Sequence, residues 1–240
     1  MNNAARKLQG LPNEDSSFAK EIARDERTQE LGMTFELPIL PIALVLAITS
    51  PAAPTASKRP PLAPFGISQD TMPSALDCSL VYGGTADSTG QYVCRNLPEG
   101  SELFDEYILA FVKGIGICNV VAVSPYIEDD RQGSETRAVF RKAAALMTAQ
   151  LGPADEKVDY AVSAAAKSGG RFKTAIISED RQIFDQWNNL ALRFKNAQSA
   201  SLVISGSEDF GLAVYSVFRF ADNDSCLQKM ELTTGISGDE

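Results

Sequence analysis

The chain has 240 residues, 44% of them hydrophobic, and its 22 lysines and arginines against 31 aspartates and glutamates leave a formal charge of −9. That is enough apolar material for a packed core, and an acidic chain without a run of basic residues is not a general nucleic-acid binder, because phosphate contacts need clustered Lys and Arg. Histidine is absent, which removes Ser–His and Cys–His dyads, His-ligated catalytic zinc and an imidazole general base.

Residues 1–32 form a polar, charged leader, followed by a signal-peptide-like segment over 33–56. Within it, residues 37–49 are an uncharged, largely apolar run interrupted by Pro38 and Pro41. A membrane-spanning helix needs about 20 such residues, so the run matches a signal-peptide h-region better, with small residues at 50–52 for cleavage. Glu30 and Glu36 sit where an export signal usually carries basic residues, and Met33 is an alternative start that would place the run close to the amino terminus. Three readings stand: a cleaved export signal, an uncleaved anchor that would be the chain's sole membrane contact, or a buried core segment. Residues 57–64 are a proline-rich linker, and an α+β domain is expected over 65–232, in halves of about 65–152 and 153–232, with a flexible tail at 233–240.

The domain opens with extended chain and a short helix over 65–76, then short strands at 79–82 and 91–97 around a glycine-rich loop. That loop lacks the spacing and the lysine of a phosphate-binding loop. Residues 104–112 and 117–123 read as a β-hairpin turned at Lys113-Gly-Ile-Gly116. Phe140, Ala144, Met147 and Leu151 recur at helical spacing, which predicts an amphipathic helix over 134–151, stopped by Gly152 and Pro153. Residues 172–177 read as a strand. Ser178 is placed as the cap of a helix with Ile183, Phe184, Trp187, Leu190 and Ala191 on one face. A second hairpin pairs 199–205 with 211–220, the latter alternating as a half-buried strand does, and a short helix begins at Asp224. The expected fold is α+β: antiparallel sheet from β-hairpins packed with helices, arranged as two pseudo-repeated halves.

Four cysteines, Cys78, Cys94, Cys118 and Cys226, contain no Cys-x-x-Cys, so neither a thioredoxin-like motif nor a zinc knuckle is present. An even, scattered set suits disulfides in an oxidising compartment; three pairings are open, Cys118 with Cys226 among them, and buried thiols are the alternative. No catalytic, cofactor or metal motif is found. Glu128, Asp129 and Asp130 do not have the spacing of a calcium loop, and they read as a solvated turn, as do Glu208 and Asp209. Tyr107, Tyr126 and Tyr215 lie on or beside expected strands, where exposed tyrosines would make a binding surface.

The segment Phe65-Gly-Ile-Ser-Gln-Asp-Thr-Met72, with a short helix before antiparallel strands, resembles the start of exported α+β modules of the outer-membrane-assembly lipoprotein type. The doubled form is similar to the tandem architecture of β-lactamase-inhibitor proteins. The strand Gly116-Ile-Cys118 and the closing Cys226 resemble exported bacterial proteins of uncharacterised function, although no cysteine stands where a lipoprotein would be acylated. The resemblance implies an exported, non-catalytic protein, periplasmic or secreted, that binds an envelope protein or a peptide through a sheet face. Two alternatives are a hydrolase or lyase using Asp129, Asp130 or Glu208 as acid or base, and an intracellular structural protein whose 37–49 run is core.

Overall fold

A computed structural model describes residues 64–83, 85–192, 194, 196–221 and 223–234, all within one compact unit. The leader, the apolar segment and the linker up to residue 63 lie outside the described residues, as does the tail beyond 234. Eight strands form one sheet: β1 (Cys78–Gly83), β2 (Gly90–Cys94), β3 (Glu106–Val112), β4 (Gly116–Val123), β5 (Glu156–Ala161), β6 (Arg181–Trp187), β7 (Ala197–Ser207) and β8 (Gly211–Phe220). Their order is β1-β2-β3-β4-β8-β7-β6-β5, and every neighbouring pair is antiparallel. Four α-helices are described: α1 (Ser134–Leu151), α2 (Ala164–Lys167), α3 (Phe172–Ile177) and α4 (Asn223–Thr234). The fold is α+β.

Four strands precede α1 and four follow it, and the two sets meet only where β4 pairs with β8, in register from Asn119 opposite Arg219 to Val123 opposite Tyr215. Helices α1 and α3 pack on one face of the sheet, over β6, β7 and β8. The main core lies between them: Ala143, Met147 and Leu151 of α1 and Phe172 and Ile176 of α3 join Leu202, Val214, Phe218 and Trp187 of the strands. Trp187 donates its indole N–H to the Gly152 carbonyl at 2.9 Å, so the polar atom of the largest core side chain is satisfied where α1 ends. Toward β1 to β3 the same core continues as edge-to-face aromatic contacts that link Phe65 to Phe104, Tyr107 and Phe218.

The opposite face carries a second apolar cluster of Ile108, Val121, Val123, Ala213, Tyr215 and Val217. Strand β8 is therefore buried on both faces along almost its whole length, rather than half-buried as its alternation suggests, because it is a central strand. Helix α4 docks on this face against Ala110, Val112 and Cys118 of β3 and β4. A bulge makes that docking specific. Ala110 pairs with Asn119 and Phe111 with Ile117, which leaves Cys118 as the extra residue of β4. A bulge turns two successive side chains toward one side of the sheet. Both are used here: Cys118 forms a disulfide with Cys226 of α4, and Asn119 donates an amide hydrogen bond to Asn223 at 3.4 Å. The second disulfide joins Cys78 and Cys94, which face each other directly across β1 and β2.

Three expectations change. Residues 172–177 are helical, not a strand. Residues 181–187, expected in a helix, are strand β6, with Arg181, Ile183, Asp185 and Trp187 buried in strict alternation. Ile183 and Trp187 are four apart, a spacing that satisfies both a helical face and one side of a strand, and two of the inward positions carry charge, which hides the period of two. The opening over 65–76 is neither strand nor α-helix but two single-turn 3₁₀ segments, Pro64–Gly66 and Pro73–Ala75, set by their prolines.

Both disulfides should be structural, with unequal weight. The 108-residue separation of Cys118 and Cys226 exceeds the 16 of Cys78 and Cys94, and closing the longer loop restrains the unfolded chain more. Cys118→Ser with Cys226→Ser should lower stability by about 2–4 kcal/mol, more than Cys78→Ser with Cys94→Ser. It should also raise amide exchange in α4; equal losses in urea denaturation, or unchanged exchange, would count against this account.

Candidate functional site

Of the three tyrosines singled out in the sequence, the structure brings two together. Tyr215 lies on the face opposite α1, between Val123 of β4 and Val203 of β7. Its hydroxyl meets that of Tyr126 at 2.8 Å. Burial, and then the hydrogen bond to Tyr126, push the Tyr215 phenol far above its ordinary pKa, so it stays protonated. Tyr107 belongs elsewhere: it is 2% exposed in the main core, where its hydroxyl accepts from the Ser101 N–H at 2.8 Å. It anchors the loop before β3 and contributes nothing to a surface.

Tyr126 is held in place by backbone. After β4, Ile127 and Leu212 exchange hydrogen bonds, Ile127 N–H to Leu212 O at 2.8 Å and Leu212 N–H to Ile127 O at 3.1 Å. This pins the loop after β4 against the β7–β8 turn. Gly211 permits the approach: its φ is +87°, and a Cβ there would stand 2.4 Å from the Ile127 carbonyl oxygen. The Tyr126 ring then tilts against Phe210, centroids 5.8 Å apart, and both rings are part-exposed. Around them stand Glu128, Asp129, Glu208 and Asp209, all exposed and with no cationic partner on their carboxylates among the described residues. The result is a part-exposed aromatic pair in an acidic rim, carried by two loops fastened to the centre of the sheet.

The carboxylates considered for acid/base chemistry separate into two environments. Asp129 and Glu208 are exposed, whereas Asp130 is 5% exposed. Asp130 caps α1. One oxygen accepts from the Ser134 N–H at 2.9 Å, and the other accepts from the Thr136 N–H at 2.7 Å and the Thr136 hydroxyl at 2.8 Å. Burial alone would raise its pKa, but the hydrogen bonds from Thr136 and Ser134 outweigh it and hold the carboxyl below its ordinary value. A carboxylate so occupied is a helix cap, with its lone pairs spent on amides that no other group of the first turn satisfies. No group of three acidic or cysteine side chains able to hold a metal occurs among the described residues.

A second cluster lies on the helix face, at the β5 edge, and sequence reasoning missed it. Arg181, inward-facing on β6, makes a two-pronged ion pair with Asp159 of β5, Nε and Nη2 each 2.8 Å from a carboxylate oxygen. Next to it, Lys157 pairs with the buried Asp185 at 3.0 Å. Arg137 of α1 and Arg181 both lie against the buried ring of Phe172, their guanidinium carbons 4.3 and 5.3 Å from its centroid. The only available signal was an Arg and an Asp at inward positions of an alternating segment, legible once that segment is taken as a strand.

No protein-family model, curated protein or solved structure was found to match the chain. Two disulfides fit an oxidising, extracytoplasmic environment. Among the described residues no helix is long and apolar enough to cross a membrane.

The depressed pKa of Asp130 fixes a pH dependence. A carboxyl whose folded pKa lies below its unfolded value contributes fully above the unfolded value, 3.8 here, and loses that contribution as pH falls through the folded one. Asp130→Asn should cost about 1–2 kcal/mol at pH 7, and the gap to wild type should close in acid. Denaturant titrations at neutral pH and below pH 4 measure this, and a gap independent of pH would exclude it.

Proposed function

We propose that this is an exported, non-catalytic interaction protein of the bacterial envelope, periplasmic or secreted, which engages a protein or peptide partner at the Tyr126 and Phe210 end of the sheet. The observation that carries the reading is the part-exposed aromatic pair ringed by four carboxylates that have no cationic partner among the described residues. Aromatic rings supply contact area at low entropic cost, and uncompensated rim charges steer and select partners more than they hold them. The partner's complementary chemistry is an apolar or aromatic side chain flanked by Lys or Arg. The two disulfides support the location. The cap role of Asp130 leaves the carboxylate-enzyme reading without its one buried acid.

A photo-crosslinking residue at Phe210 tests this in producing cells, with Val162, 54% exposed and remote in the chain, as the control position. A discrete adduct is expected from position 210 and not from 162, weakened severalfold by Glu208→Lys with Asp209→Lys. Absence of an adduct, or the same adducts from both positions, rules the surface out.

A further inference from the structure

Among the described residues, the Arg137 guanidinium holds the one buried side-chain polar atom left without a partner. Its Nε is sealed from solvent without a hydrogen-bond acceptor among the described residues, and the side chain has no ion pair among them. A buried N–H with no acceptor carries a desolvation cost that a well-packed protein ordinarily avoids. The Phe172 ring does not remove it. A ring face attracts a cation but gives an N–H no lone pair, and this ring is shared with Arg181.

The nearby carboxylates are already committed. Asp159 is held by Arg181 through both oxygens, and Asp130 is held by the amides and hydroxyls of Ser134 and Thr136. Arg141 stands one turn further along α1, on the same side as Arg137. It is exposed and has no carboxylate partner among the described residues. Burial, and then the charges of Arg181 and Arg141, lower the Arg137 pKa, against the opposing pull of Asp159 and Asp130. In a chain of net charge −9, a local surplus of this kind is not a matter of solubility.

We propose that Arg137, with Arg141 beside it and Arg181 and Phe172 as its floor, binds a doubly charged oxyanion, of which a phosphate group is the chemical type. Arg137 contributes planar N–H donors suited to two oxygens at once, and Arg141 supplies the second positive charge. The site is independent of the Tyr126 and Phe210 surface: it lies on the helix face of the sheet and uses none of the same residues.

Inorganic phosphate titrated into the disulfide-intact protein, with chloride holding ionic strength constant, tests the assignment. Saturable heat and a rising thermal midpoint are expected. Arg137→Gln should weaken phosphate binding at least tenfold while leaving the phosphate-free midpoint unchanged or higher, since it removes an uncompensated charge. Arg141→Gln, at an exposed helical position that folding does not need, should weaken binding about threefold. A wild-type protein indifferent to phosphate overturns the proposal. So does an Arg137→Gln protein that melts lower without phosphate yet binds it as well as wild type, the result expected if the stack on Phe172 is only structural.

Discussion

The pairing of β4 with β8 is the constraint on which the rest of this structure depends. Every other strand pair joins neighbours within the first four strands or within the last four, so this pair alone makes one sheet of eight. Both strands are buried on their two faces along most of their length, which explains their largely apolar character, interrupted by such residues as Asn119 and Ser216: a central strand covered on both sides has few polar positions to offer. The bulge at Cys118 and Asn119 belongs to the same constraint. By aiming two successive side chains at α4 it fastens the end of the chain to the strand that unites the sheet. It also places the two disulfides differently, one at an edge and one at the centre.

The β5 edge is built on another principle. Exposed Lys157 and Asp159 of β5 pair with buried Asp185 and Arg181 of β6 in ion pairs across the two strands. Charges on an edge strand also blunt its tendency to pair with another chain. Arg137 is the exception within this arrangement, a cation placed by α1 and walled by Phe172. Gly133 makes the wall possible: its φ is +73°, and a Cβ there would lie 2.0 Å from the Phe172 ring, so no other residue lets α1 begin so close to α3.

Much of the fold outside residues 156–187 was legible because its signals were local. The hairpin of β3 and β4, the length of α1 and its stop at Gly152, and the β7–β8 hairpin follow from apolar period, β-branched runs and glycines with positive φ. The stretch from 156 to 187 was not legible, for a physical reason. An alternating strand reveals itself by apolar residues at every second place, and β5 and β6 put Lys, Asp and Arg there instead. The candidate surface was legible only in part. Tyr126 and Tyr215 were marked as aromatic residues beside strands, but Phe210 was read as part of a turn, and Tyr107 differs from them only in its tertiary surroundings.

By itself the sequence determined the α+β class, the exclusion of every histidine-dependent chemistry, and the acidic character that argues against nucleic acid. These depend on composition and on short-range period, which need no knowledge of what packs against what. Only the tertiary structure decided which cysteines pair, which of three adjacent acids is consumed as a helix cap, and which arginine has a buried Nε without an acceptor among the described residues. Each of those depends on register across strands that are distant in the chain: a shift of one residue in β4 would turn Cys118 away from α4, and no local pattern records which register is formed.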